Sequence, residues 1–439
     1  MREFGKDFRD LIPANMEKKG QVILESLLRP IGILLEQRKI PDEGWSDDTI
    51  ELFLKLLSWM DTDKDPKAAR IGEREARVAS PLLSKLAYGF NHGIGRSGEI
   101  DAPQPKAPGS SLMYQITNRL ASQALKKFGA PNLANAIVLP LSTGMSIGLT
   151  FAAIRKKVDQ RMVLCTRIDH TSPVKGLELV GITPQIVNST LIKDSVQVDP
   201  EEIRKKIDKK IMGILSTTTF FPPRESDEIK EIAKIAKEHD IFHVINNAYG
   251  VQSREVMKRI QGAIDAGRVD AVIQSTDKNF LTPIGGSVIG APSESFIKEI
   301  SKCYAGRATA APIIQFLSAI LSIGVQGYEK LRDTQEKNRK LLEELLREVA
   351  ENHDERILQV NNPIACAMTL DQQDPKKIGG ILYELRVTGP RAYKKGEKRG
   401  ACYDDYPHNY LCLNAAIGAD ESDVRKAVER LEKALKQAK

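Results

Sequence analysis

The sequence predicts an α/β protein with a mainly parallel central sheet, a helical N-terminal extension and a smaller α/β C-terminal domain. Three observations carry that expectation. From about residue 136, short apolar runs alternate with amphipathic helical segments, the pattern of a parallel sheet covered on both faces. Residues 14–60 instead show apolar side chains at three- and four-residue spacing, which is helical. After a long helical stretch around 312–351, the alternation resumes on a smaller scale. At 439 residues the chain has room for one large domain with smaller ones beside it. The expected division is 1–65, 66–325 and 326–439. A helix crosses the second boundary, because no flexible linker appears there.

Taken in order, "GQVILESLLRPIGILLEQ" and "DDTIELFLKLLSWM" are the N-terminal helices. "PGSSLMYQITNRLASQALKKFG" is another, with Ser110 or Ser111 as its cap and Gly129 as its stop. Between these blocks, "FNHGIGRSGEIDAPQPKAPG" has too little apolar content for a core element and too much charge for an idle linker. The strand "AIVLP" then leads to the helix "MSIGLTFAAIRKK", and "MVLC" to "SPVKGLELVG". "IMGILS" leads to "SDEIKEIAKIAKEHD", and the strands "IFHVIN" and "VDAVIQS" follow. In the last third, strands are expected near 357–369 and 410–415, and "SDVRKAVERLEKALKQAK" closes the chain as an amphipathic helix. No internal repeat and no low-complexity segment interrupts this order.

Composition narrows the function classes. The five cysteines (165, 303, 366, 402 and 412) are scattered, odd in number and without C-x-x-C spacing. Reduced thiols are therefore expected, and neither a disulfide frame nor a metal site. No apolar run is expected to span a bilayer. The charged opening "MREFGKDFRDLIPANMEKKG" has no apolar leader core, so a cytoplasmic protein is expected. The net charge of +7 is compatible with an anionic partner, and compositional drift gives the same value. Basic residues gather in "NMEKKG", "LEQRKIP" and "GPRAYKKGEKRG". The last cluster is read as a loop, a setting that favours phosphate contacts.

Parallel sheets hold ligands beyond the carboxyl ends of their strands. Polar residues collect there: Ser142–Thr143–Gly144, Asp169–His170, Ser216 to Thr218, Asn246–Asn247, and Ser275 to Lys278. "PLSTGMS" joins a strand to a helix, where free N–H groups receive phosphate. An ordinary N-cap explains the same residues. "GIGRSG" at 93–98 matches a dinucleotide fingerprint in letters alone, since neither a strand nor a helix flanks it. Arg96 within it could reach a phosphate, or be an ordinary surface arginine. His170 is a lone histidine, and such residues are more often structural. Lys278 follows an apolar strand and precedes the pair Gly285–Gly286. An amine held in such a crevice can form a Schiff base with a carbonyl compound. A phosphate-binding turn, pyridine contacts and then a strand-end lysine follow the order of the fold-type I pyridoxal phosphate enzymes.

The blocks "GEREARVAS", "HGIGRSG", "PQPKAPGSS", "STGMS", "TTTFFPPR", "NNAYGVQ", "STDKNFLTPIGG" and "YAGRATA" run from about residue 70 to 310. With "RVTGPR", "YLCLNAAIG" and the N-terminal "IPDEGW", they resemble the O-phosphoseryl-tRNA:selenocysteinyl-tRNA synthase family over nearly the whole chain. The resemblance implies that Lys278 anchors pyridoxal 5'-phosphate, that Ser142, Thr143 and Gly144 receive its phosphate, and that His170 lies against its ring. Asn246 stands where most fold-type I enzymes place an aspartate. Arg74, Arg96, Ser97, Gln104 and Arg307 match the residues that hold the substrate phosphate, on a loop that completes a neighbouring subunit's site. Arg38, Lys39 and Arg399 are placed like tRNA contacts, although the loop around Arg399 diverges and is shortened.

The activity so implied is conversion of phosphoseryl-tRNA to selenocysteinyl-tRNA, by β-elimination of phosphate and addition of selenium from selenophosphate. The implied assembly is a homo-oligomer, a tetramer by family expectation, with no membrane partner. Two rival readings are an enzyme acting on a free amino acid, such as a cysteine desulfurase, and a non-catalytic tRNA-binding protein. The desulfurase reading lacks a cysteine in a distinct reactive loop, and the intact lysine and phosphate turn speak against the second.

Overall fold

Residues 11–438 are described in a computed structural model. The first ten residues of the opening stretch used in the leader argument, and Lys439, lie outside the described residues. The N-terminal helices form as α1 (Ala14–Gln37) and α2 (Asp47–Ser58). Ser46 caps α2 by accepting the Thr49 N–H at 3.3 Å, and Asp47 and Asp48 complement the helix dipole. Ile31, Leu34, Phe53 and Leu54 pack into the main core with the sheet residues.

The next helices are α3 (Pro81–Leu86) and α4 (Pro108–Lys127). The start of α4 corrects the expected cap. Pro108 occupies its first turn, where a missing N–H costs nothing. Ser110 is already inside the helix, and its hydroxyl donates to the buried Asp61 carboxylate at 2.5 Å. Gly129, at φ +116°, follows its end as expected. The polar stretch before α4 is also corrected. Phe90, Ile94 and Ile100 are buried in the main core, and Ile94 pairs with Ala308 through N–H···O bonds of 2.9 and 3.2 Å. A few apolar residues, each fully used, order it within the chain.

The alternating region runs β1 (Asn135–Leu139), α5 (Thr143–Arg155), β2 (Met162–Thr166), α6 (Thr171–Leu179) and β3 (Thr183–Val187). A hairpin of β4 (Thr190–Ile192) and β5 (Ser195–Gln197) precedes α7 (Pro200–Lys206). Then come β6 (Ile211–Thr217), α8 (Ile229–Glu238), β7 (Phe242–Asn246), α9 (Arg254–Ala266), β8 (Ala271–Ser275), α10 (Thr276–Phe280), β9 (Ser287–Ala291) and α11 (Glu294–Ser301). The seven-stranded sheet has the order β1-β9-β8-β7-β6-β2-β3. Only β9 runs antiparallel to its neighbours. The carboxyl ends of β1, β2, β6, β7 and β8 therefore share one edge. β3 is a half-exposed edge strand containing Pro184, so it lacks the apolar run that marks the central strands.

The long helical stretch is α12 (Ala311–Glu351), two helices joined across Gly324 at φ 65°. A side chain there would meet the Gly44 amide nitrogen at 2.7 Å. The Val325 and Gln326 N–H groups donate to Pro41 and Asp42, each at 2.9 Å. Against the bilayer expectation, α12 taken as a whole is long and apolar enough to cross one by length and composition. Ile313, Phe316, Leu317 and Leu321 are instead wholly buried in the core.

The chain ends with β10 (Ala365–Thr369), α13 (Pro375–Glu384), β11 (Arg391–Tyr393), β12 (Tyr410–Asn414) and α14 (Glu421–Ala438). The strands form an antiparallel sheet in the order β10-β12-β11 over a second core that includes Leu346, Met368, Ile378 and Leu431. Of the strand expected at 357–369, only β10 is regular. The basic cluster at 389–400 is not all loop: it opens with β11, and Lys394 is paired with Asp374 at 2.7 Å. All five cysteines are free.

Candidate active site

The carboxyl ends of the parallel strands meet β11 and β12 around a crevice of about 400 Å³, a size suited to a cofactor-scale ligand. His170, Asn246, Lys278, Phe221, Tyr249 and Arg391 are among its walls. Lys278 sits in the single turn α10 after β8, with its side chain exposed to the crevice. The backbone beneath it is held by buried amides. Asn279 accepts the Val251 N–H at 3.0 Å and donates to the Ala248 and Ser275 carbonyls at 2.9 and 2.8 Å. Gln252 donates to the Lys278 carbonyl at 3.1 Å and accepts the Ile417 N–H at 2.7 Å. At Gly286 a Cβ would lie 2.6 Å from the Thr276 hydroxyl, so glycine lets the chain return directly beneath the lysine turn.

Ser142 occupies the N-cap position of α5, yet its side chain makes no capping bond. The purely structural reading of its hydroxyl therefore fails, and the N–H groups of the first turn of α5 have no side-chain cap. The turn is pinned from within by Ser146, whose hydroxyl lies 2.6 Å from that of Ser287. Gly144 has a packing reason of its own: a side chain would meet the Ser172 hydroxyl of α6 at 2.1 Å.

His170 caps α6 by accepting the Ser172 N–H at Nδ1, 3.4 Å away. Burial, aided by the positive charges of Lys278 and Arg391, holds its pKa below the ordinary histidine value, so the ring is neutral at pH 7. The two asparagines at the end of β7 divide their tasks. Asn247 is structural, accepting the Thr218 hydroxyl at 2.6 Å and donating to Gln274 at 3.2 Å. Asn246 lines the crevice with a buried Oδ1 that has no hydrogen-bond partner. A buried amide oxygen left unpaired is costly, and a bound group in the crevice would satisfy it.

Three roles are not assigned by the sequence. Arg391 stacks its guanidinium 3.5 Å above the Phe221 ring, at the crevice wall. It lay unnoticed in the basic cluster, although its place at the start of an alternating segment was a usable signal. Gln252 and Asn279 fall inside the blocks "NNAYGVQ" and "STDKNFLTPIGG", but nothing local marks them as clamps. Asp169, beside His170, accepts the backbone N–H groups of Gly400 and Cys402, both at 2.7 Å. It thereby ties the loop of Arg399 to the crevice mouth.

The expected phosphate residues gather elsewhere. The Ile94–Ala308 pairing zips the 93–98 loop against Arg307, which donates to the His92 carbonyl. Arg307 is half-buried, its Nε has no partner, and burial together with the charge of Arg74 lowers its pKa. Arg96 and Ser97 form an exposed tip next to Gly98 at φ +86°. Gln104 is half-buried at the approach to α4, its N–H donating to Ser111 at 2.9 Å. Arg74, Arg96, Ser97, Gln104 and Arg307 are all absent from the walls of the Lys278 crevice. Arg38 and Lys39 are exposed just after α1, and Arg399 is exposed beyond β11. The thiols of Cys165, Cys366 and Cys402 are buried and pushed up to about 12, so none of them is a ready nucleophile.

The sequence model of the O-phosphoseryl-tRNA(Sec) selenium transferase family matches residues 60–436. The O-phosphoseryl-tRNA(Sec) selenium transferase of Methanocaldococcus jannaschii is 44% identical over 437 residues, covering 98% of this chain and 100% of that protein. Its counterpart from Methanococcus maripaludis is 46% identical, over 97% of this chain and 98% of its own. The crystal structure of an archaeal O-phosphoseryl-tRNA(Sec) selenium transferase superposes with a TM-score of 0.94 at 45% identity, covering 97% of this chain and 98% of that one.

Proposed function

The chain belongs to the O-phosphoseryl-tRNA(Sec) selenium transferase family, and from that premise we propose how its residues divide the work. It is a pyridoxal phosphate-dependent enzyme that converts O-phosphoseryl-tRNA(Sec) to selenocysteinyl-tRNA(Sec), with selenophosphate as the selenium donor. Bound pyridoxal phosphate supplies an electron sink for the bonding electrons of the substrate α-carbon. Lys278 is the covalent anchor and, once its amine is released, the base that takes the α-proton. Ser142, Thr143 and Gly144, at the start of α5, would hold the cofactor phosphate, and His170, a neutral imidazole, and Asn246 would hold its ring. A neutral amide does not hold a ring nitrogen protonated as a carboxylate would, which suits a reaction whose leaving group is phosphate. The observation that carries this reading is the unpaired Asn246 Oδ1 in the same crevice as Lys278.

Arg74, Arg96, Ser97, Gln104 and Arg307 bind the phosphate of the substrate's phosphoserine. An anion would relieve the repulsion between Arg74 and Arg307 and occupy the free Arg307 Nε. In a homo-oligomer taken to be a tetramer, they complete the crevice of a second copy; like Ser142, Thr143 and Gly144, they stand outside the walls of their own chain's Lys278 crevice. Arg38, Lys39 and Arg399 contact the tRNA. The same reading divides the chain into a tRNA-contacting extension (1–65), a catalytic domain (66–325) and a C-terminal domain (326–439).

The test is incubation of the holoenzyme with phosphoseryl-tRNA(Sec) and selenophosphate. Selenocysteinyl-tRNA is expected, and its absence from active preparations would sink the assignment. Mixing Lys278→Ala chains, inactive alone, with Arg307→Ala chains, about 10²-fold impaired alone, is expected to raise activity above that of either variant. A mixture no more active than either variant places both residues in one chain's site.

A further inference from the structure

A second concavity, of about 440 Å³, lies against α4. It is bounded by the end of α1, the start of β1 and α11. Gln115, Asn118, Arg119, Ser122, Gln123 and Lys126 line it from one face of α4, recurring at helical spacing opposite the buried Met113, Ile116, Leu120 and Ala124. Four amides around it are fixed at one end. Asn118 accepts the Val138 N–H at 2.8 Å, and Gln115 donates to the Asp101 carbonyl at 2.9 Å. Gln123 accepts the Ile40 N–H at 3.3 Å, and Asn135 donates to the Pro292 carbonyl at 3.1 Å. Gln115, Gln123 and Asn135 keep the other polar end for a ligand, already oriented, whereas Asn118 also bonds the Tyr114 hydroxyl.

An adjoining concavity of about 480 Å³ shares Gln37 with the first. Together they carry Arg29, Arg38, Lys39, Arg119, Lys126 and Lys127, none of which has an ion-pair partner among the described residues. Lys298, also in the wall, is paired with Glu294 at 2.8 Å, and Asp101 and Asp42 are the other carboxylates of the two walls. The six cations outnumber these carboxylates. Six unpaired cations flanking half-satisfied amides match a phosphodiester backbone, with cations for the phosphates and amides for ribose hydroxyls or base edges.

We propose that this α4 groove docks the backbone of a helical arm of the RNA substrate. The inference rests on the tRNA reading above, and extends the contact surface from the loop after α1 to Arg119, Lys126 and Lys127. Its place in the fold is informative. Asn135 begins β1, whereas the crevice lies past the carboxyl ends of the strands, so the sheet separates them by at least ~13 Å. The body of the RNA is gripped away from the reacting end, and affinity is set separately from chemistry.

The experiment measures binding of an uncharged tRNA(Sec) transcript to the full-length holoenzyme by fluorescence anisotropy, over a series of salt concentrations. The double variant Arg119→Ala/Lys126→Ala is expected to bind roughly tenfold more weakly, and its log–log salt slope to be lower by about one to two. Both side chains are exposed, so an unchanged melting temperature and cofactor absorbance check the fold. Lys205→Ala, on α7 and already paired with Glu202, is the control for net charge. Wild-type affinity and slope in the double variant overturn the groove, as does an equal loss in Lys205→Ala. If the wild-type holoenzyme itself fails to bind the transcript, the tRNA reading falls instead.

Discussion

Around Lys278 the backbone is held by buried amides, whereas around Arg96 the chain turns on glycines and leaves its cations at the surface. The first loop has Asn279 and Gln252 beneath it, and a glycine where the strand returns. The second is zipped to Ala308 at Ile94 and closes on itself between Arg96 and Glu99, and Arg307 keeps an unpaired nitrogen. The difference separates two duties. A covalent anchor must be preorganised by its own chain, because a small displacement of a reacting atom is expensive. Cations that meet a mobile, charged substrate can wait for it, since the ligand supplies the missing partners.

Predictions follow that contrast. Lys278→Ala is expected to remove both turnover and the absorbance of bound cofactor, leaving the fold intact. An unchanged spectrum would show that the anchor lies elsewhere. Arg307→Ala is expected to lower turnover by about 10²-fold, the scale of losing one charge-stabilising donor, with the cofactor spectrum untouched. A changed spectrum would merge the two regions that the geometry keeps apart. Asn279→Ala strips three hydrogen bonds from beneath the lysine turn, and should destabilise the protein by about 3 kcal/mol in denaturant titration. A loss under about 0.5 kcal/mol, the range of ordinary surface changes, would mean the clamp is dispensable.

The smallest effect tests whether rigidity extends below the crevice. His243 is buried in β7, bonded to the Ser216 hydroxyl and the Arg268 carbonyl, and burial lowers its pKa to about 4. Between pH 6.5 and about 4 the unfolded chain binds a proton that the folded chain refuses. Its contribution is therefore complete above about pH 6.5 and is lost as pH falls, by roughly 2–3 kcal/mol at pH 4.5. Urea midpoints at pH 7.5 and 4.5 should differ less in His243→Gln than in the wild type. Equal differences would show that another group carries the acid sensitivity.

Much of this was legible along the chain because its signals are local. The central strands are apolar runs buried on both faces, and the parallel alternation follows from them. Where burial is partial the signal fades, as in β3 with its edge proline, or β11 inside a basic cluster. The stretch 91–108 reads as too polar for the core because Ile94 and Ile100 are few among charged neighbours, yet each is completely buried. In α4, Ser110 or Ser111 reads as a cap because Ser is a good one, yet both lie inside the helix. The partner of Ser110, Asp61, is 49 residues away and leaves no trace in the local pattern.

By itself the sequence determined the strand-end placement of Lys278, His170 and Asn246, and, through its long motif blocks, the family. Periodicity and motif spacing survive without coordinates, because each depends on neighbours in the chain. Only the tertiary structure decided that Asn246 rather than Asn247 is free for a ligand, and that Arg391 joins the crevice. It also separated the arginine cluster from the lysine, and lined a groove of unpaired cations along α4. These are properties of partners brought together by folding, and whether a polar group is satisfied is settled by where its partners are.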